Sequence, residues 1–307
     1  MRSTVHGGGD AAVWDVAYPA RPSRMAGVAF AGFSRGGSAA DHRLVPHASV
    51  IVALDFGAGP PLVEDAAGRR FQGSLVGGLG YSGSVWVRGE NIQCVQVRLS
   101  PVVARAVLDV GPVDLDGSVV SLGDLWGRQA SRLSERLHDL SSWEDRFALI
   151  EASVARRYEA RRPLDPEVVW TWNRIVAGQG RVRIEALAVE LGWSRKRLWA
   201  RFREQIGLPP KRAAKLVRFD HAAHRLSAGQ DAARVAADGG YTDQSHLHRD
   251  VMAFAGVTPA ALAEESRLTT AALAESAGPQ KSPARGESAS ADAVVARPGP
   301  AWAMCNQ

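Results

Sequence analysis

Cysteine is scarce in this chain: only Cys94 and Cys305 occur among 307 residues. They lie far apart with no histidine at ligand spacing around them, which argues against both a disulfide framework and a zinc site. Long apolar runs are missing too. No stretch approaches the roughly 20 residues needed to cross a bilayer, so no membrane partner is expected. The N-terminus carries one early arginine and the run Gly7 to Gly9 where a secretory signal would place a basic patch and an apolar core. A cytoplasmic location is the resulting expectation. What is present suffices for two ordinary domains, since 46% of the residues are hydrophobic.

The net charge of +5 is unevenly spread. Residues 161 to 225 hold 15 Lys/Arg against 6 Asp/Glu, a local balance of +9, whereas residues 1 to 160 hold 16 against 17. Such a local excess is either the footprint of a polyanion-binding surface or a solvated basic face on a helical domain.

Residues 1 to about 100 read as short β-segments broken by glycine and proline: Gly27 to Phe33, Ser49 to Phe56, Phe71 to Val76, Ser84 to Val87 and Gln93 to Leu99. The last alternates most clearly, with Cys94, Gln96 and Arg98 opposite Val95, Val97 and Leu99. From Ser100-Pro101 the texture is helical. Leu122, Leu125, Trp126, Gln129, Leu133, Leu137 and Leu140 recur at spacings of three and four, forming one nearly continuous stripe. A second helix is expected from Trp143 to about Tyr158, with Phe147, Ile150 and Val154 inward. These helices either close the β domain or pair with a second copy. A proline-punctuated break at Arg161 to Pro166 marks a domain boundary, and beyond about Ser266 an Ala, Ser, Gly and Pro tail lacks the apolar residues to order itself.

Residues 184 to 210 and 232 to 259 are one unit written twice. Leu187, Ala188 and Gly192 recur as Val235, Ala236 and Gly240 at an offset of 48; Leu198, Phe202, Gly207, Leu208 and Pro210 recur as Leu247, Val251, Gly256, Val257 and Pro259 at an offset of 49. One residue is therefore inserted in the turn of the second copy. Each copy reads as a short helix ending at glycine, an aromatic (Trp193, Tyr241), a capping hydroxyl (Ser194, Thr242) and a second helix with apolar residues four apart. That is a helix-turn-helix outline. Between the copies, Pro210 to about Ala228 has no internal glycine or proline. A connecting helix of ~18 residues would span ~27 Å, close to the ~34 Å between successive major grooves on one face of B-DNA.

This segment resembles the DNA-binding domain of the AraC/XylS family of bacterial transcription regulators. The resemblance rests on Ala188 to Gly192, Gly192-Trp193-Ser194, Leu198, Phe202 and Gly207 in the first unit. In the second it rests on Gly240 to Leu247, Arg249 and Gly256-Val257-Thr258-Pro259. Leu99-Ser100-Pro101 and Asp124-Leu125-Trp126-Gly127 more weakly resemble the companion domain of an actinobacterial subgroup. The fold implied is α+β: a small β-rich N-terminal domain with following helices, then an all-α domain of two helix-turn-helix units joined by a linker helix. The domains expected are 1–160 for effector sensing or dimerisation, 161–265 for DNA binding and a disordered tail at 266–307.

The family's base-reading positions fall on Arg195, Lys196, Trp199 and Ala200 of the first unit and on Gln244, Ser245, His246 and Arg249 of the second. Ala200 departs from the long polar residue frequent there, and Val251 from the usual phenylalanine. Arginine and lysine suit guanine, and glutamine suits adenine. Arg201, Arg203, Lys211, Arg212 and Arg218 are read as phosphate contacts. Trp199 is either a core residue or an exposed edge against thymine methyl or sugar. Residues 226 to 265 hold 2 basic against 6 acidic side chains, so the first unit is expected to supply most of the affinity.

Two catalytic spellings are set aside. Gly78 to Gly83 fits the dinucleotide fingerprint but is followed by a strand pattern, not the helix that would hold pyrophosphate. Gly32-Phe33-Ser34-Arg35-Gly36 fits the nucleophile elbow without a succeeding helix. The pairs His221/His224 and His246/His248 lack a completing ligand, and all but His246 are read as solvated. No enzyme activity, cofactor or metal is expected. The partners expected are double-stranded promoter DNA, RNA polymerase as the resemblance implies, a small-molecule effector and a second copy in a homodimer. The alternatives are a ligand-binding or enzymatic N-terminal domain for which the DNA-binding module is the output, and a general nucleoid-binding protein.

Overall fold

The computed structural model describes residues 2–5, 14–36, 40–59, 61–80, 85–109, 111, 115, 117–160 and 164–266. The tail expected from Ser266 lies outside these residues apart from Ser266 itself, as do Arg161 to Pro163 of the boundary and Tyr81 to Ser84.

Eleven strands are formed among the described residues: β1 (Arg2–Val5), β2 (Trp14–Ala17), β3 (Val28–Ser34), β4 (Ala40–Leu44), β5 (Val50–Asp55), β6 (Leu62–Glu64), β7 (Arg70–Gln72), β8 (Leu75–Gly77), β9 (Val85–Gly89), β10 (Gln93–Leu99) and β11 (Val119–Ser121). They make a seven-stranded sheet in the order β1-β2-β3-β10-β5-β8-β11 and a four-stranded sheet in the order β4-β9-β6-β7. Central β10 shows why. Its Val95, Val97 and Leu99 are fully buried toward helices, and the alternate residues Cys94, Gln96 and Arg98 face the second sheet. Register places Gln96 opposite Ala53, and Ala53 opposite Leu75. Leu75 packs with Val63, Val85 and Val119 in the cluster that joins the two sheets.

The segment expected as one strand at Phe71 to Val76 is two strands, in different sheets. Gly73, at φ +75°, turns the chain between them. The apolar stripe from Leu122 is likewise two helices, α2 (Leu122–Trp126) and α3 (Arg128–Asp139), after α1 (Pro101–Leu108); the break falls at Gly127, φ +55°. The helix expected from Trp143 is α4 (Trp143–Glu159), capped by Ser142, whose Oγ accepts from Asp145 N–H. It lies on the large sheet through Phe147, whose ring centroid is 6.3 Å from that of Phe30. Trp143 lies flat against Gly32, where a Cβ would come within 2.4 Å of the indole. The residues of the nucleophile-elbow spelling are thus strand packing, and the next described element is the strand β4.

The C-terminal part is helical throughout: α5 (Pro166–Ala177), α6 (Ile184–Glu190), α7 (Arg195–Ile206), α8 (Pro210–Ser227), α9 (Ala232–Asp238), α10 (Gln244–Ala255) and α11 (Pro259–Ser266). The hub is α8, with Ala213, Leu216 and Phe219 fully buried; burying a phenylalanine side chain stabilises by roughly 2–3 kcal/mol. No helix among the described residues is long and apolar enough to cross a membrane. The two parts share one continuous apolar core. At their junction Gly80 of the β part sits against Leu208 and Leu216 of the helical part.

Candidate nucleic-acid interface

Each copy of the repeat folds as two helices about a tight turn, α6 with α7 and α9 with α10. Gly192 and Gly240 occupy equivalent turn positions at φ +66° and +75°, conformations that favour glycine. Trp193 N–H donates to Ala188 O at 2.9 Å and Tyr241 N–H to Ala236 O at 3.2 Å, closing the first helix of each unit alike. The cap then shifts register. Ser194 accepts from Arg197 N–H, but its counterpart is Asp243, which accepts from His246 N–H at 2.7 Å. The hydroxyl expected to cap α10, Thr242, is instead the inserted residue, because 194 and 243 differ by the later offset of 49 while 193 and 241 differ by 48. Leu198 with Phe202 and Leu247 with Val251 are all fully buried, anchoring α7 and α10 by the same face.

The opposite face of α7 is open. Arg195, Lys196, Trp199 and Ala200 are all exposed. Trp199, 46% exposed, lies outside the core beside buried Leu198, and the Arg203 guanidinium stands 5.2 Å from its ring centroid. On α10, Gln244, Ser245 and Arg249 are exposed, with Arg249 Nε 3.4 Å from Ser245 O. His246 is half-buried. Its Nδ1 lies 3.4 Å from Thr242 N and its Nε2 3.5 Å from Arg218 Nη2, so both ring nitrogens face groups of its own domain.

The basic residues read as phosphate contacts occupy several environments. Lys211 is 76% exposed on its side chain and 2.8 Å from Glu185, and Arg203 is exposed. Arg201 donates to Asp165 at 2.7 Å and to Glu204 at 2.8 Å, joining α5 to α7. Arg212 reaches Gly80 O at 3.3 Å, across the junction with the β part. Arg218 is largely buried, donates to Asp250 Oδ2 at 2.8 Å and covers the Tyr241 ring at 4.6 Å. Burial and the Asp250 carboxylate push the Tyr241 hydroxyl up to about 12. This Arg218–Asp250–Tyr241 group ties the linker helix α8 to the second unit. Spacing alone did not reveal Asp250, whose carboxylate is the buried partner.

A second group missed by pattern reading bridges the two parts of the chain. His47 of the β part lies 2.8 Å from Asp220 of α8 and 3.1 Å, through Nε2, from Arg98 of β10. Burial and the Arg98 guanidinium push His47 down to about 4. Burial opposes ionisation of Asp220, but the hydrogen bond from His47 and the nearby His47, His224 and Arg98 outweigh it and hold the carboxyl near 2. His224, expected in solvent, instead packs edge-on to His47 with centroids 6.3 Å apart. Such long-range partners leave no periodic signal in sequence.

Two helix-turn-helix units at the ends of one bridging helix, each turning a polar helix face outward, define a DNA-binding domain. A family model described as a helix-turn-helix domain matches residues 187–265. The match spans both units, from within α6 to within α11. No curated protein matches the chain. Among solved structures it is similar to ToxT from Vibrio cholerae O395, at 10% identity over 78% of this chain and 96% of that one, with a TM-score of 0.44. It is also similar to the AraC-like transcriptional activator CuxR, at 18% identity over 64% and 78%, with a TM-score of 0.31.

Proposed function

We propose that this chain binds promoter DNA sequence-specifically by placing α7 and α10 in two adjacent major grooves. The observation that carries this reading is the matched register of the repeat. The buried pairs Leu198/Phe202 and Leu247/Val251 turn the first turns of α7 and α10 outward from the two ends of the 18-residue helix α8. Arg195, Lys196 and Trp199 read bases from the first unit; Gln244, Ser245 and Arg249 read them from the second. His246, held by Thr242 and Arg218, sets the position of α10 at the groove floor. Arg203, Lys211 and Arg201 contact phosphates flanking α7, while Arg212 and Arg218 secure the frame from which those contacts are made.

Residues 161–265 form the DNA-binding unit, and residues 1–160 sense an effector or pair two copies. The Arg98–His47–Asp220 contacts support a sensing role, since they connect the large sheet directly to the helix between the two readers. RNA polymerase is the partner through which bound protein alters transcription, and the chain works in the cytoplasm without catalysing a reaction. Competition binding tests the reading: the purified chain should prefer a promoter fragment over random duplex by about 10³-fold or more at physiological salt. Equal affinity for both, governed by salt alone, would reduce it to a non-specific binder.

A further inference from the structure

A polar cleft of about 540 Å³ opens where the ends of β5 and β8 meet α3, a size that suits a small molecule. Its walls include Asp55, Ser74, Ser134, Glu135, His138 and Asp139, and no Lys or Arg lines it. Ser74 Oγ accepts from Asp55 N–H at 3.0 Å and lies 3.1 Å from Ser134 Oγ, holding the sheet to the helix beneath the opening. His138 turns Nδ1 to Phe56 O at 3.0 Å, which leaves Nε2 an acceptor when the ring is neutral.

The wall residue Asp55 is only 9% exposed. One carboxylate oxygen has a single long contact, 3.5 Å from Gly57 N–H, and the other has no partner among the described residues. Burial pushes this carboxyl up to about 6. Burial and the Gly57 N–H are the influences acting on it, and no cation is among them. The Cys94 thiol is buried and pushed up to about 12, by burial first and then by Asp55 itself, and the Arg146 guanidinium lies 4.4 Å over Phe56 and donates to the carbonyls of Leu137 and Leu140. A buried carboxylate without a cation is costly, and a ligand that brings one removes the cost.

We infer that this cleft binds a small hydroxylated organic cation, such as an amino sugar, whose ammonium group sits on Asp55 between Glu135 and Asp139 and whose hydroxyls meet Ser74 and Ser134. Its lining comes from the ends of β5, β7 and β11, from the turn into β8, and from α2 and α3, with no residue of α7 or α10, and its occupancy is read on the protein alone, independent of DNA.

The test uses the full chain in thermal-shift and calorimetric titrations with glucosamine, glucose, glucuronate and calcium chloride at millimolar concentration. Glucosamine should raise the melting temperature by several degrees while glucose and glucuronate leave it unchanged. Asp55→Asn keeps the acceptor for Gly57 and removes the buried charge, so the variant folds and should lose the response. Glu135→Gln, on the exposed rim, should weaken binding roughly tenfold. A glucosamine response no larger than that of glucose, one undiminished in Asp55→Asn, or stabilisation by calcium alone would overturn the inference.

Discussion

His47 Nδ1 lies 2.8 Å from Asp220 Oδ1, joining the β part of the chain to the helix between the two helix-turn-helix units. His47 is buried neutral, at about 4 against an ordinary 6.5. Its folded pKa is depressed, so the unfolded chain binds more protons between those values. Stability contributed by this site is therefore full above about pH 6.5 and falls, by up to about 3 kcal/mol, as pH drops toward 4. His47→Ala should lower stability by about 1–3 kcal/mol at neutral pH, by leaving Asp220 without its donor, and should remove that part of the acid slope. Urea midpoints measured across this pH range check both effects.

Charge distinguishes α7 from α10. α7 begins Arg195-Lys196-Arg197, whereas α10 begins Gln244-Ser245-His246. Arg195→Ala should cost about 1–3 kcal/mol of operator affinity, and Arg249→Ala should cost less while relaxing preference at the second half of the site. Equal losses in gel-shift titrations would disprove the asymmetry.

The exposed indole of Trp199 makes a separate forecast. Because it lies outside the core, Trp199→Ala should leave the melting temperature within about 2 °C of the parent and still reduce operator binding. A large loss of stability would show that the ring is needed for packing.

Much of the DNA-binding half was legible because its signals are local. The two glycines, the paired apolar residues and the linker between prolines and glycines report helix ends and faces directly. The single inserted residue was visible as a change of offset, yet the cap it displaces, from Thr242 to Asp243, emerged only with backbone geometry. The β half was less legible. β1, β4, β6 and β11 are three to five residues long, too short for alternation to register, and Gly73 and Gly127 break segments whose apolar pattern runs on. Arg218–Asp250 and His47–Asp220 join residues 32 and 173 positions apart, pairings that only folding creates.

The first of those pairs is structural. Asp250, with a side chain 7% exposed, receives Arg218 at 2.8 Å. Asp250→Ala leaves a largely buried guanidinium facing Tyr241 and should destabilise by about 3–5 kcal/mol, detectable as a lower urea midpoint. Asp250→Asn should recover part of that loss by keeping an acceptor.

Asp55 predicts the opposite pH trend to His47. Its folded pKa, about 6 against 3.8, is raised, so its contribution favours folding at low pH and is lost as pH rises through 6. Asp55→Asn should therefore be more stable than the parent at pH 7, by up to about 3 kcal/mol, with the advantage vanishing below about pH 4. Thermal melts at the two pH values give the comparison.

The central claim is that α8 holds two recognition helices in register with consecutive turns of one duplex. Hydroxyl-radical footprinting of the full chain on its promoter site measures this directly. Two protected patches about 10 base pairs apart on the same DNA face, of which Arg249→Ala weakens only the second, are the predicted result. A single patch of one groove's width, or protection that ignores sequence, would contradict it.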